Sequence, residues 1–202
     1  MMDPAVAQAP WALSEAAAAE DLLMARVAAG DREAFAELVE LYKDDLVAYL
    51  YRLSGHRQTA EDLAQETFLR LYRAASRYRA QGMFRAYLHR IATNLLRSAE
   101  RRTRLLHFVP LSAAPVTRSP LPGPEDQAEK DQALTRVAQA LAALPLKYRA
   151  PLVLRAVEDW SIEEIAHALS LPQGTVKSRI SRARRRLLDL LGDDRDDWRD
   201  QR

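Results

Sequence analysis

Cysteine is absent from the 202 residues. That excludes disulfides, thiolate metal sites and thiol catalysis, and it fits a reducing compartment. Long apolar runs are absent as well. No stretch approaches the ~20 residues of a membrane span, and the longest helical patterns carry charges throughout, so no membrane insertion is expected. The first residues, MMDPAVAQAPWALSEAAAAED, have no basic segment leading into an apolar block. No secretion signal is expected, and a cytoplasmic location is the default. Period-2 alternation is nowhere convincing, so strands are not expected. Nor does the sequence hold a phosphate loop, a nucleophile–base set or a metal cluster. One Glu-x-x-His, Glu164 to His167, resembles half of a di-metal bundle signature. That signature needs a second copy and two further glutamates on facing helices, and the sequence holds no second copy. These absences predict a protein that is not an enzyme and needs no cofactor or metal.

What is there is charge, unevenly placed. The net charge is only +2, yet residues 15–66 hold twelve acids and five bases. Residues 77–104 hold eight arginines and one acid, and residues 173–186 hold six bases and no acid. Segregation of this kind suits separate partners on separate faces.

Helical periodicity runs through almost the whole chain. Ser14 can cap a first helix that Gly30 stops. Asp31 can cap a second, with Phe35, Leu38, Val39, Tyr42, Leu46, Leu50 and Leu53 on one stripe and Gly55 at its end. Thr59 reads as the cap of a third, and Gly82 precedes a fourth from about Met83 to beyond Arg101. Residues 110–124, PLSAAPVTRSPLPGP, then hold five of the ten prolines. They read as a linker, because such a composition forms no packed element. The expected organisation is all-α: a helical domain over 14–108, a linker over 109–131, a second helical domain over 132–191 and an acidic tail over 192–202. Pro151 falls within the helical pattern LKYRAPLVLRAVEDW. It is harmless in a first turn and kinking deeper in.

The stretch SIEEIAHALSLPQGTVKSRISRARRRLLDLL is the most specific. Ser161 and Glu164 form a capping box, and Ile162, Ile165, Ala166 and Leu169 make a buried face. A turn at Ser170 and Leu171 leads to Pro172 and a second helix that buries Val176, Ile180, Ala183 and Leu187. Gly174, Lys177, Ser178, Ser181, Arg182 and Arg185 fall on the opposite side. Two short helices, a tight turn and a basic outer face describe a helix-turn-helix whose second helix enters the major groove. Arg179, Arg184 and Arg186 lie on its flanks, where phosphates would run.

The other basic region, SRYRAQGMFRAYLHRIATNLLRSAERR, mixes arginine with aromatics. Phe84, Leu88, Ile91 and Leu95 form its apolar stripe. Arg90, Thr93, Asn94, Arg97 and Arg101 fall opposite, and Tyr78 and Arg79 sit in the loop before Gly82. Arginines for a backbone and aromatics for unpaired bases are what single-stranded DNA binding uses. Phe84 and Tyr87 fit core packing at the same spacing. In TAEDLAQETFLRLYR, Ala64, Phe68, Leu71 and Ala75 face inward. Asp62, Gln65, Glu66 and Leu69 face outward, an apolar side chain framed by polar ones as at a protein interface.

Taken together, AGDREAFAELVELY, AEDLAQETFLRLYR, FRAYLHRIATNLLR and WSIEEIAHALSLPQGTVKSRISRARRRL resemble, in this order, a bacterial RNA polymerase sigma factor of the small two-domain extracytoplasmic-function class. The resemblance covers about residues 20–108 and 132–191. It implies that the first domain melts and reads the promoter's minus-ten element through Tyr78, Arg79, Phe84, Arg90, Asn94 and Arg97. It implies that Asp62, Gln65, Glu66 and Leu69 dock the coiled coil of the polymerase β′ subunit. Lys177, Ser178, Ser181, Arg182 and Arg185 would bind the minus-thirty-five element. The implied partners are core RNA polymerase, through its β′ and β subunits, promoter DNA and an anti-sigma factor. Thr59 stands where the family often has an acid. Two rival readings stay open on the residues alone: a stand-alone helix-turn-helix regulator binding DNA as a dimer, and a nucleic-acid enzyme such as a nuclease. The second would need carboxylates clustered on a basic surface, and the acids here lie away from the basic segments.

Overall fold

A computed structural model describes residues 15–106 and 135–191. The expected linker and acidic tail, and Ser14, lie outside these residues. The described residues hold helices and no strand. They are α1 (Glu15–Ala28), α2 (Arg32–Ser54), α3 (Arg57–Ala74), a 3-10 turn (Ala75–Arg77), α4 (Phe84–Leu106), α5 (135–143), α6 (Leu146–Ala156), α7 (Ile162–Leu169) and α8 (Gln173–Leu191).

Local chemistry sets most helix ends. The Asp31 carboxylate accepts the N–H groups of Glu33 at 2.9 Å and Ala34 at 3.1 Å, satisfying two donors that helix geometry leaves over. These hydrogen bonds, Ala34's first and then the one from Arg26, hold its carboxyl below the usual range. Gly55 ends α2 in the left-handed region at φ 74° and donates to the Tyr51 carbonyl at 2.8 Å, a conformation glycine reaches at no steric cost. The start of α3 departs from expectation. It begins at Arg57, two residues before Thr59, and its cap residue His56 makes no side-chain capping bond. Ser54 closes the corner instead. Its hydroxyl donates to the His56 carbonyl at 3.1 Å, and His56 N–H donates back to it at 3.3 Å. Pro151 lies inside α6, past the first turn, and is buried. Its ring leaves the Lys147 carbonyl without the usual donor four residues on.

The stripes pack as their spacing requires. Leu38, Leu46, Leu50 and Leu53 of α2 meet Ala64, Phe68 and Leu71 of α3 and Phe84 and Leu88 of α4 in a closed core. Leu154, Ile165, Val176, Ile180 and Ala183 form the core of α6 to α8. These two groups of helices also touch: α4 packs against α7, and α2 against α6.

Candidate nucleic-acid and polymerase interfaces

The helix-turn-helix is built from its cap upward. The Ser161 hydroxyl accepts Glu164 N–H at 3.2 Å, and the Glu164 carboxylate accepts Ser161 N–H at 2.7 Å, completing the capping box. Ser170 ends α7 in the left-handed region at φ 53°, where a non-glycine residue costs about 1–3 kcal/mol. The turn recovers bonds in return: Ser170 N–H donates to the His167 carbonyl and Leu171 N–H to that of Ala166, at 3.3 and 2.9 Å. The Pro172 carbonyl accepts the first helical donors of α8, from Thr175 and Val176. Proline therefore stands just before the helix, one place earlier than its preferred first position.

With Val176, Ile180 and Ala183 buried, Lys177, Ser178, Ser181, Arg182 and Arg185 are exposed together on one face of α8. Ser178 donates to the Thr175 carbonyl at 3.0 Å. Two basic groups have intramolecular roles that periodicity does not show. Arg186 stacks over the Tyr148 ring at 4.8 Å, and the Arg182 guanidinium acts on the Tyr148 hydroxyl. Burial pushes this phenol up, but Arg182 and the charges of Lys147 and Arg186 outweigh it and leave it below its usual value.

The second basic region forms an open cavity of about 250 Å³ lined by Arg77, Tyr78, Arg79, Gln81, Met83, Ala86, Tyr87, Arg90 and His167. It brings Tyr78, Arg79 and Arg90 together. Asn94 and Arg97 are exposed one and two turns further along α4, joined by a 2.6 Å hydrogen bond. Phe84 is a correction. It is fully buried, packed on Tyr42 at 5.3 Å and on Tyr78 at 6.1 Å between ring centroids, and so presents nothing to a strand. Thr93, on the polar side by periodicity, is also buried, because Tyr49 of α2 reaches it at 2.9 Å. Tyr78 is half-buried against Tyr87, with its hydroxyl on Asp21 at 2.5 Å. Burial first, then the Asp21 bond, raises its phenol well above the usual value.

On α3, Asp62, Gln65 and Leu69 are exposed, Leu69 by 48%. Glu66 is half-exposed and accepts from Arg70 at 2.7 Å, which holds its carboxyl below the usual range. The four therefore share an outward strip, extended by Tyr72 one turn on, itself 41% exposed. Among the described residues, no group of three or more His, Asp or Glu side chains is placed to hold a metal ion.

Residues 38–105 match the family profile Sigma-70 region 2, and residues 134–187 match Sigma-70, region 4. The chain is 34% identical over 176 residues to the ECF RNA polymerase sigma factor SigW of Bacillus subtilis, across 83% of this chain and 94% of that protein. The chain belongs to the ECF RNA polymerase sigma factors. Two solved structures are similar to this sigma factor. CnrH, in complex with the cytosolic domain of CnrY, has 28% identity and a TM-score of 0.64 over 86% of this chain and 97% of its own. The sigma factor RpoE, in complex with the anti-sigma factor NepR from Bartonella quintana, has 27% identity and a TM-score of 0.63 over 80% and 98%.

The contact between this sigma factor's two regions was not legible in its sequence. Glu158, after α6, accepts from Arg52 of α2 at 2.7 Å and lies 3.6 Å from Arg85 of α4. Trp160 is buried, with Arg85 over its ring at 4.8 Å and His89 edge-on at 4.7 Å. Arg149 of α6 pairs with Glu100 of α4 at 2.9 Å. His167 of α7 reaches the cavity that Tyr78, Arg79 and Arg90 line. The signal available was the Glu-Asp-Trp run before the capping serine.

Proposed function

We propose that this sigma factor reads a promoter at two places while docked on core RNA polymerase. Family membership makes it an initiation factor that directs polymerase to promoters. The finer assignment is carried by one observation: Lys177, Ser178, Ser181, Arg182 and Arg185 are exposed together on the outer face of a helix set behind a capped partner helix. Such a helix fits the major groove, where arginine and lysine meet guanine edges and hydroxyls meet bases or phosphates. These residues would take the upstream element. Tyr78, Arg79, Arg90, Asn94 and Arg97 would take the separated strand of the minus-ten element, with charge for its backbone and the tyrosine for a base. The strip Asp62, Gln65, Glu66 and Leu69 would dock the β′ coiled coil, and the second domain would meet the β subunit. The linker over 109–131 would join the two reading domains.

An anti-sigma factor is a natural further partner, since the similar sigma factor RpoE was solved in complex with the anti-sigma factor NepR. The work belongs in the cytoplasm with the polymerase. None of the described helices is long and apolar enough to cross a membrane. Purification with core polymerase followed by run-off transcription on genomic fragments tests the reading. Discrete promoters sharing two spaced elements support it. Tight, sequence-specific DNA binding by a purified dimer without core enzyme would favour a stand-alone regulator.

A further inference from the structure

One carboxylate holds both ends of the loop before α4. Asp21 lies on α1, outside the stretch that matches Sigma-70 region 2. Its Oδ1 accepts the Tyr78 hydroxyl at 2.5 Å, and its Oδ2 accepts the Gly82 backbone N–H at 2.8 Å. The two donors are four residues apart in sequence and some sixty residues from Asp21. Gly82 is left-handed at φ 66°, a conformation glycine reaches without steric cost. Between the two anchors, Arg79, Ala80 and Gln81 are exposed.

The neighbouring residue repeats the pattern. Glu20 accepts the Tyr42 hydroxyl, and the Tyr42 ring packs on Phe84, the first residue of α4. Two consecutive acids of α1 thus fix a phenol each, one in the loop and one beneath the helix that follows it. A loop held at two points by a charged acceptor has already lost the conformational freedom that a bound strand would otherwise have to remove.

We propose that Asp21 is a positioning residue for strand recognition: by clamping Tyr78 and Gly82 it presets the loop carrying Arg79 and Gln81, and so sets the sequence preference at the melted element. This rests on the reading above that the loop meets the separated strand. Asp21 itself is turned into the protein and contacts no base. Its effect runs through loop geometry, and losing it should blur base preference more than general affinity for DNA.

The test uses the full chain bound to core polymerase and a pool of single-stranded oligonucleotides with a randomised window. Holoenzyme with the unaltered chain selects a preferred strand. With Asp21→Ala, the preference flattens and affinity for that strand falls about fivefold to tenfold, the low end of what one stacked base contributes. Salt-dependent binding of unselected strands persists, as does core binding. Trypsin cleaves faster after Arg79 in the same variant. Tyr78→Phe, which removes one of the two bonds, shows a smaller change of the same kind. Asp21→Asn recovers part of the preference, because an amide can still accept from Gly82 and donate to the Tyr78 oxygen. Unchanged preference and unchanged trypsin cleavage in Asp21→Ala and Tyr78→Phe overturn the clamp. So does a loss of core binding as large as the loss of strand binding, which marks a general scaffold role. Arg79→Ala and Arg90→Ala separate the two readings. If they leave strand preference intact, the loop is not the reader and the function proposed above fails. If they abolish it while Asp21→Ala does not, only the clamp fails.

Discussion

Single side chains divide into those free to meet DNA and those already employed. Lys177 is exposed and makes no hydrogen bond or ion pair with the described residues, whereas Arg182 is shared with Tyr148. Lys177→Ala is therefore expected to lower discrimination among upstream-element sequences about tenfold, within the ~1–3 kcal/mol of a good base contact, and to leave the melting temperature unmoved. Arg182→Ala should lower both discrimination and stability, since it also releases Tyr148. Transcription from promoters varied in that element, paired with thermal melts, checks both; an unchanged sequence preference in Lys177→Ala contradicts the assigned face. His89 carries a pH prediction. It is buried between Tyr49 and Trp160 with Nδ1 on the Arg85 carbonyl at 2.9 Å and Nε2 without a partner. The neutral tautomer with its proton on Nδ1 fits, and burial pushes the imidazole down to about 4. An unfolded histidine titrates near 6.5, so between these values the unfolded chain holds more protons. Stability is full above about pH 6.5, falls as pH drops toward about 4, and loses at most about 3 kcal/mol from this group. Urea unfolding at about pH 7.5 and about pH 5 should show a smaller acid loss in His89→Gln than in the unaltered chain. Equal losses would mean that other groups dominate.

At the scale of helices, α3 separates folding from the docking proposed for its outer strip. Ala64, Phe68 and Leu71 build the core while Gln65 and Glu66 lie on the outward strip. Gln65→Ala combined with Glu66→Ala removes only the exposed Arg70 pair, and exposed pairs contribute little. The double variant is expected to melt within about 2 °C of the unaltered chain and to lose core-polymerase binding. Normal binding by the folded variant would contradict the docking assignment. The same helices explain what the sequence could and could not disclose. The cap of α7 and the stripe of α8 are local in sequence, so Ser161, Glu164, Val176 and Ile180 announce themselves by spacing. The α2–α3 corner is closed by a serine of the preceding helix, so Thr59, the better capping residue by type, is bypassed. On α4, periodicity separates an apolar from a polar side but cannot say how far neighbours wrap around. Tyr49 reaches over to cover Thr93, and Tyr42 and Tyr78 enclose Phe84. Trp160 is hidden for a related reason. It sits just before the capping serine, the place of a local hydrophobic staple, and its partners Arg85 and His89 lie some seventy residues away.

For the whole molecule, the sequence suggests two reading domains with undefined spacing, and the structure holds them in contact. That contact is an obstacle to reading both promoter elements at once, because His167 of the second region borders the cavity assigned to the minus-ten strand. The free chain is therefore expected to bind promoter DNA weakly, with specificity appearing once core polymerase draws the regions apart. Glu158 is the place to test this. Its carboxylate, 10% exposed, holds Arg52 and Arg85 of the other region together. Its removal takes away about 1.5–3 kcal/mol of charge-assisted bonding, enough to raise the open fraction by about one to two orders of magnitude. Trp160→Ala would be a poorer probe, since emptying a buried indole site costs ~3–5 kcal/mol and threatens the fold. The indole serves better as the reporter: with Trp11 and Trp198 replaced by phenylalanine, Trp160 is the remaining tryptophan, and its emission should shift to the red when the regions part. Glu158→Ala should show that shift in the free chain, tighter binding to a single-stranded minus-ten oligonucleotide, and no change once core enzyme is bound, because the contact is then already open. A Glu158→Ala chain with unshifted emission and unaltered DNA binding would show that the closed arrangement does not depend on this carboxylate.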